Sequence, residues 1–502
     1  MPTLRDVATL AGVSTATVSH VINQTRPTTP DTRARVERAV AQLGFVPDAA
    51  GRALAMRRAA HGASARRRGP GLKRPVARAV VAASQRIDVL PRPEGSVAHT
   101  KPSEAAVPAG AARVMLRMVR AAQPVSRAEV ARRLGVHRST VTDVLKPLVS
   151  SGVLVERDAP APAGGEPRAL GRPPVALSFG DLGVLFVGVS LGVRHTQVGA
   201  TTLAGDALGE EEFETPQGPA EALARVREAI ERLRASAEGR SLAGVGLSVP
   251  GPTDAERTRM LHAPHLGWRD VDVAAALRFE SAGGAAVPVV VENDATAAAV
   301  YEARLRLRET AGGSASDFVL VRSGTGIGVG LVLGGEVYRG TGDGEGLAGE
   351  FGHMTIIAGG KPCPCGNRGC WERYASASSA SALYAGERVQ LGGQPVPRFV
   401  EIVARAEAGE LRARRTLERI GEYLGIGIGN VITGLGVPRV IVSGRLVYGW
   451  KFLSGPLREA VGLSMAGRLS GWSVEPGEPT GAGLGGALEV AADEFLSRLL
   501  SR

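Results

Sequence analysis

At 502 residues the chain is longer than one hydrophobic core holds, so about three units are expected. A hydrophobic fraction of 44% is ordinary for globular proteins, and 67 glycines suit an α/β body with many tight turns. The net charge of +11 favours a polyanionic partner. No run is apolar enough to span a membrane, the start does not read as a signal peptide, and three cysteines argue against a disulfide framework, so a cytoplasmic location is expected.

Residues 4–23 place Leu4, Val7, Ala8 and Leu10 at the spacing of one helix face. Ala11-Gly12-Val13 reads as a tight turn, and Ser14 as the N-cap of a second helix. That helix turns Val18, Val21 and Ile22 inward. It leaves Thr15, Ala16, Thr17, Ser19, His20 and Asn23 outward, small or polar and able to approach base edges and phosphates. Two short helices about a glycine turn predict a helix-turn-helix, whose second helix enters the major groove. The segment resembles the headpiece of the lac repressor family. Residues 32–55 extend the resemblance through a third helix, the Phe45-Val46-Pro47 joint and a hinge helix. Leu54 falls where that family places a leucine that wedges open the minor groove. Gly51 departs from the pattern by lowering helix propensity in the hinge. The headpiece is assigned to residues 1–56.

Residues 57–109 crowd basic side chains against only Asp88, Glu94 and Glu104 and carry six prolines, Pro70 to Pro108. A basic disordered linker is expected, either a phosphate-attracting arm or a plain tether. Residues 110–158 begin with a helical pattern around Val114–Val119. Ser126-Arg127-Ala128-Glu129 reads as a capping box opening a helix to Leu134, and Gly135 turns the chain. From His137 a third helix sets Val141, Val144, Leu145 and Leu148 on one side, and Gly152 to Glu156 suits the first strand of a wing. This pattern resembles the winged helix-turn-helix of ROK-family repressors, in which Arg138, Ser139, Thr140 and Thr142 would face DNA. A winged helix used only for dimerisation is the alternative. Residues 159–174, with five prolines, read as a second linker.

From residue 175 to the end, buried-strand runs at 185–190, 244–249, 287–291, 318–322 and 440–443 alternate with amphipathic stretches such as 220–235. That is an α/β pattern. Its motifs GVGLSVPGPTD from Gly244, LGWRDVDV from Leu266, VENDATAAAVYE from Val291, SGTGIGVGLVLGG from Ser323 and GEFGHMTI from Gly349 resemble the ROK family of sugar kinases and repressors. The resemblance implies a two-lobed, actin-like ATPase fold over residues 175–502.

His353, Cys363, Cys365 and Cys370 form H-x9-C-x-C-x4-C and use every cysteine of the chain. Three thiolates and an imidazole suit a closed, tetrahedral, structural zinc site. The resemblance implies that His353 also touches sugar. It further implies that Asn293 and Asp294, at a strand end, grip hydroxyls with Glu350 and Glu372, and that Asp294 matches the general base of the kinases. Family kinases also carry D-x-G-G-T after the first strand. Here the aspartate is Ser190, the second glycine Val193 and the threonine Arg194. Serine cannot replace a carboxylate that organises hydrated Mg²⁺, and valine crowds backbone that must approach phosphate. The second phosphate turn, Gly324-Thr325-Gly326-Ile327-Gly328, is intact.

The expected protein is a sequence-specific DNA-binding regulator, most simply a repressor. A sugar or sugar derivative in a catalytically silent body controls it, and it acts as a homodimer or larger homo-oligomer on a double-stranded operator. Zinc is the expected cofactor and no ATP use is expected. An active ATP-dependent sugar kinase with appended DNA-binding modules is the rival reading, and a scaffold controlled by a protein partner is a third.

Overall fold

The computed structural model describes residues 8, 10–13, 17–18, 21, 30–43, 109–158, 175–237, 239–281, 283–309, 317–341, 346–386, 396–469 and 471–501. Two compact units divide the chain, Met1–Gln85 and Arg86–Arg502.

In the first unit, helix α1 (Pro30–Leu43) contributes Val36 and Ala39 to a small core with Ala8, Ala11, Val18 and Val21. Val18 and Val21 point inward, as expected. Leu10 does not share the face of Ala8; it is 47% exposed, because positions two apart on a helix diverge by about 200°. Gly12 makes the turn at φ 62°, with the Val13 amide bonded to the Ala8 carbonyl at 3.0 Å. Glycine suits that left-handed position. Thr17 is half-buried. Ser14, Thr15, Ala16, Ser19, His20, Asn23 and Leu54 lie outside the described residues.

The second unit opens with α2 (Ala109–Ala122), β1 (Val125–Ser126), α3 (Arg127–Leu134), α4 (Arg138–Ser150), β2 (Leu154–Asp158) and β3 (Val175–Phe179). Ser126 caps α3 by accepting from the Glu129 amide at 3.1 Å. Only half of the capping box forms, because Glu129 turns its carboxylate to Arg132 and Arg133. Gly135 closes α3 at φ 64°, and Val141, Val144, Leu145 and Leu148 form the buried face of α4.

The three strands pair antiparallel in the order β1-β3-β2, with Leu154 opposite Phe179 and Asp158 opposite Val175. The sequence reading assigned Val175–Phe179 to the α/β body and residues 159–174 to a linker between domains. Backbone pairing makes β3 the middle strand of the small sheet, so residues 159–174 join two strands of one hairpin. Ala176, Leu177 and Phe179 are buried, which is why this short run reads equally well as a core strand.

The body follows with β4 (Val184–Leu191), β5 (His195–Thr201), β6 (Ala207–Glu214), α5 (Pro219–Ser236), β7 (Ser241–Val249), the hairpin β8 (Arg259–Ala263) and β9 (Trp268–Asp272), β10 (Val289–Asn293) and α6 (Asp294–Glu309). The second half contains β11 (Phe318–Ser323), β12 (Ile327–Leu333), β13 (Glu336–Tyr338), α7 (Leu411–Leu435), β14 (Arg439–Gly444), α8 (Trp450–Leu463), β15 (Ser473–Pro476) and α9 (Ala482–Leu500). Two five-stranded sheets result, in the orders β10-β7-β4-β5-β6 and β13-β12-β11-β14-β15. Each joins an antiparallel three-strand meander to two further parallel strands. The halves thus repeat one plan.

The apolar runs anticipated from sequence are β4, β7, β10, β11 and β14. The outer strands β5 and β6 lack an apolar run because one face of each carries polar residues, as with the exposed Glu210, Glu212 and Glu214 of β6. Helices α6 and α9 pack at backbone distance. A Cβ on Gly486 would sit 2.1 Å from the Ala297 carbonyl, and one on Gly246 of β7 would sit 2.1 Å from that of Ala487.

The small three-helix module shares its core with the body. Leu116, Val119, Leu145 and Leu177 cluster with Phe186, Leu203 and Leu496. Arg120 of α2 is 4% exposed and pairs with Glu489 of α9, which also pairs with Arg304 of α6. Arg113 and Arg117 bind Asp493, each at 2.6 Å. Arg133 of α3 donates to the carbonyl of Leu307 at 2.7 Å, where α6 ends. Among the described residues, no helix is long and apolar enough to cross a membrane.

Candidate functional site

A cleft of about 420 Å³ opens where β4, β10 and β11 end. Asn293, Asp294, Glu350, His353 and Glu372 all line it, so the five candidate sugar residues converge from three separate stretches of chain. Asn293 closes β10 and caps α6. Its Oδ1 accepts from the amides of Ala295 and Thr296 at 2.9 and 3.2 Å, and its Nδ2 donates to the Gly251 carbonyl at 3.1 Å. Its amide is therefore largely engaged, leaving one N–H for a ligand. Asp294 begins α6 and forms an ion pair with Arg322 at the end of β11. That guanidinium competes with any hydroxyl for the carboxylate. Glu350 sits in a short 3-10 turn, and burial, then the charges of Asp294 and Glu372, push its carboxyl up to about 7.

Glu372 begins the short helix Glu372–Ala375 and is buried. It stands between the cleft and the cysteines: Cys363 Sγ lies 3.1 Å from its Oε1, and His265 Nε2 lies 3.6 Å from its Oε2. The approach explains one glycine of the second phosphate turn. A Cβ on Gly326 would lie 2.2 Å from Glu372 Oε2. His265 was not singled out from sequence. Its signal was its place beside the LGWRDVDV motif, with His262, which also lines the cleft.

His353, Cys363, Cys365 and Cys370 offer ligand atoms within 4.8 Å of one another, a set able to hold a metal ion. Cys365 and Cys370 Sγ are 3.8 Å apart, and Cys363 Sγ is 3.6 Å from His353 Nδ1. Tetrahedral zinc with bonds of about 2.3 Å to sulfur and 2.0 Å to nitrogen sets such edges near 3.8 and 3.5 Å. These two edges match that ion. His353 Nε2 faces Glu350 Oε2 at 3.7 Å, so its second nitrogen points to the cleft side.

Ser190, matched above to the aspartate of the kinase motif by resemblance, lies in the cleft wall at the end of β4. Gly192, Val193 and Arg194 turn the chain into β5, with the Gly192 amide bonded to the His195 carbonyl at 3.1 Å. No carboxylate stands on this turn. In the three-helix module, Arg138 and Ser139 are exposed at the start of α4, whereas Thr140 and Thr142 are half-buried. The Thr142 hydroxyl donates to the Arg138 carbonyl at 3.0 Å, which leaves it less free for a partner.

Comparison with known proteins places these features. The family model described as "ROK family" matches residues 186–493, and that of "Bacterial regulatory proteins, lacI family" matches residues 3–48. The xylose repressor of Bacillus subtilis (strain 168) is 28% identical over 362 residues, 71% of this chain and 88% of that protein. A glucokinase of Halalkalibacterium halodurans is 31% identical over 289 residues, 55% of this chain and 84% of that one. The crystal structure of a ROK family transcriptional regulator, a homolog of the E. coli MLC protein, superposes with a TM-score of 0.61 at 22% identity, covering 78% of this chain and 98% of the other. That last likeness establishes the actin-like, two-lobed fold. A bacterial regulator's headpiece thus precedes a kinase-like body, and the chain belongs to the ROK family.

Proposed function

We propose that the chain is a DNA-binding transcriptional repressor controlled by a sugar held in a ROK body that no longer transfers phosphate. One observation carries the reading. The cleft keeps the hydroxyl-binding set Asp294, Glu350, His353 and Glu372, while Ser190 stands where a kinase needs its carboxylate and Arg322 engages the would-be base. Positioning groups without Mg²⁺ organisation do not make a phosphoryl-transfer site. The similarity to the xylose repressor supports the same reading.

In this scheme Asp294 and Glu350 accept hydroxyl protons of the sugar, and His353 and Glu372 orient its far side. Zinc held by His353, Cys363, Cys365 and Cys370 would cross-link the loop that carries these residues and supply no chemistry beyond that. Sugar binding closes the lobes. Because α2 shares core and ion pairs with α9, and α3 hydrogen-bonds to the end of α6, the small module follows the body. Linkage requires that the sugar weaken operator binding only if it prefers the lobe arrangement that DNA disfavours. The headpiece, residues 1–56, reads bases through Ser14, Thr15, Ala16, Thr17, Ser19, His20 and Asn23, with Leu54 in the minor groove. The winged module, with Arg138 and Ser139 exposed, adds phosphate contacts. A homodimer on a pseudo-palindrome suits both modules.

The test is selection of bound DNA from a random pool by the full chain, with and without monosaccharides. Parallel selections use a chain lacking the residues before Arg57 and an Arg138→Ala variant. The reading expects one selected sequence, released by a sugar, with the deletion changing the sequence and Arg138→Ala weakening binding and its salt dependence. If the deletion changes nothing while Arg138→Ala destroys selection, the headpiece is not the reader. The intact Gly324–Gly328 turn and Asp294 favour the rival kinase reading, and sugar-dependent ATP turnover lost in Asp294→Ala would establish it.

A further inference from the structure

One charged surface has no role in the scheme above. Beside the cleft runs a groove of about 680 Å³ lined by Arg194, Lys361, Arg373, Arg398 and Arg445, with no carboxylate among its lining residues. Arg194 and Arg445 line the cleft as well, so the two spaces meet at these guanidiniums. Arg322 joins them from the cleft side.

These cations are poorly neutralised. Among the described residues, neither Arg194 nor Arg445 has an ion pair or side-chain hydrogen bond. Arg398 reaches only the exposed Glu401, at 3.1 Å, and Arg373 Nε is buried with no partner. Burial, then the charges of Arg194, Arg322 and Arg398, hold the Arg445 guanidinium below its usual range. Like charges gathered at a partly desolvated junction repel one another, and a bound anion reverses that cost.

The sequence change at the first turn has the matching sign. A kinase of this fold neutralises phosphate with Mg²⁺ held through a carboxylate. Here that carboxylate is Ser190, and four residues later the threonine position holds Arg194. A metal-mediated anion site has lost its metal anchor and gained a cation on the same turn. Guanidinium forks bind phosphate oxygens bidentately without a metal.

We propose that the Arg194–Arg445 junction binds the phosphate group of a small-molecule phosphate ester directly, without Mg²⁺. The proposal rests on the silent-body reading. Arg322, paired with Asp294, connects the hydroxyl-binding carboxylates to the junction, so a ligand can span both. A phosphorylated sugar and a nucleotide share this chemistry. The former places its ring at Asp294 and Glu350, and the latter extends along the groove past Ser378 and Ser381.

The experiment is titration calorimetry on the full chain with inorganic phosphate, glucose 6-phosphate and ADP, each with and without Mg²⁺. Unphosphorylated glucose and xylose form separate arms. At least one phosphate-bearing probe should bind with an affinity that Mg²⁺ leaves unchanged. Arg194→Gln and Arg445→Gln should each weaken it about tenfold or more, and Arg445→Lys should restore part of the loss. Unchanged thermal midpoints in these variants show that folding is intact. Stronger binding of glucose 6-phosphate or of ADP identifies the source. The proposal is overturned if none of the three phosphate probes binds, if binding needs Mg²⁺, or if both glutamine variants bind as the wild type does. Neutral sugars binding where phosphates do not would overturn this inference and leave the sugar-controlled reading standing; ADP or inorganic phosphate binding where neither sugars nor glucose 6-phosphate do would do the reverse.

Discussion

Glu489 is the strongest test of how the three-helix module is fastened to the body. Its carboxylate, 10% exposed, serves Arg120 of α2 at 4% exposure and Arg304 of α6 at 28%. Glu489→Gln keeps the volume and removes the charge, leaving one guanidinium almost fully buried against a neutral amide. Breaking a buried pair in this way costs about 3–5 kcal/mol. Partial exposure of Arg304 lets water screen its share, which places the expected loss near the lower figure. Arg120→Met deletes the buried cation itself and leaves Glu489 paired with Arg304. Its main loss is the 3.0 Å bond from Nε to the Leu203 carbonyl, worth about 1–2 kcal/mol. The order is the sharp part: the glutamine variant should be the less stable of the two. Urea unfolding of the full chain, followed by far-ultraviolet circular dichroism, reads both. Should Arg120→Met prove the more damaging, or Glu489→Gln cost under about 1 kcal/mol, the carboxylate is not the latch and apolar packing alone joins the module.

Further outcomes follow from neighbouring groups. Burial pushes the Asp493 carboxyl up, but hydrogen bonds and charges from Arg117 and Arg113 outweigh it and hold the group well below the usual carboxylate range. A depressed folded value stabilises above the unfolded pKa and is lost as pH falls through the folded one. Stability should therefore decline on acidification below about pH 4, and Asp493→Asn should flatten that limb; an identical acid profile in the variant refutes the assignment. Elemental analysis should find one zinc per chain, and removing it should expose three reactive thiols and weaken sugar binding. Protein purified without metal, yet fully sugar-competent, would contradict that link. Asp294→Asn should abolish monosaccharide binding measured by calorimetry, and retained affinity would move the sugar away from α6.

Much of the body was legible because its central strands are apolar over their whole length, and burial on both faces demands this. The metal set was legible because four ligands lie within eighteen residues of chain. What failed had physical reasons. β3 is an apolar run whose partner is decided by pairing across residues 159–174, and composition carries no trace of it. The cap that Asn293 provides to α6, beside its place in the cleft, was not read either, because both roles fall on one strand-to-helix joint. His265 faces Glu372 across more than one hundred intervening residues, and the groove cations from Arg194 to Arg445 meet only through the fold. Contacts of such separation leave no periodicity to read.

Helix α6 has Asp294 in its first turn and the Leu307 carbonyl, bonded to Arg133, in its last. At about 1.5 Å per residue it is a strut some 20 Å long with the cleft at one end and the three-helix module at the other. A strut of this kind passes on whatever displacement it receives, whichever molecule caused it. The pocket at one end can therefore be recut for another sugar, or another anion, while the transmission to α3 needs no redesign.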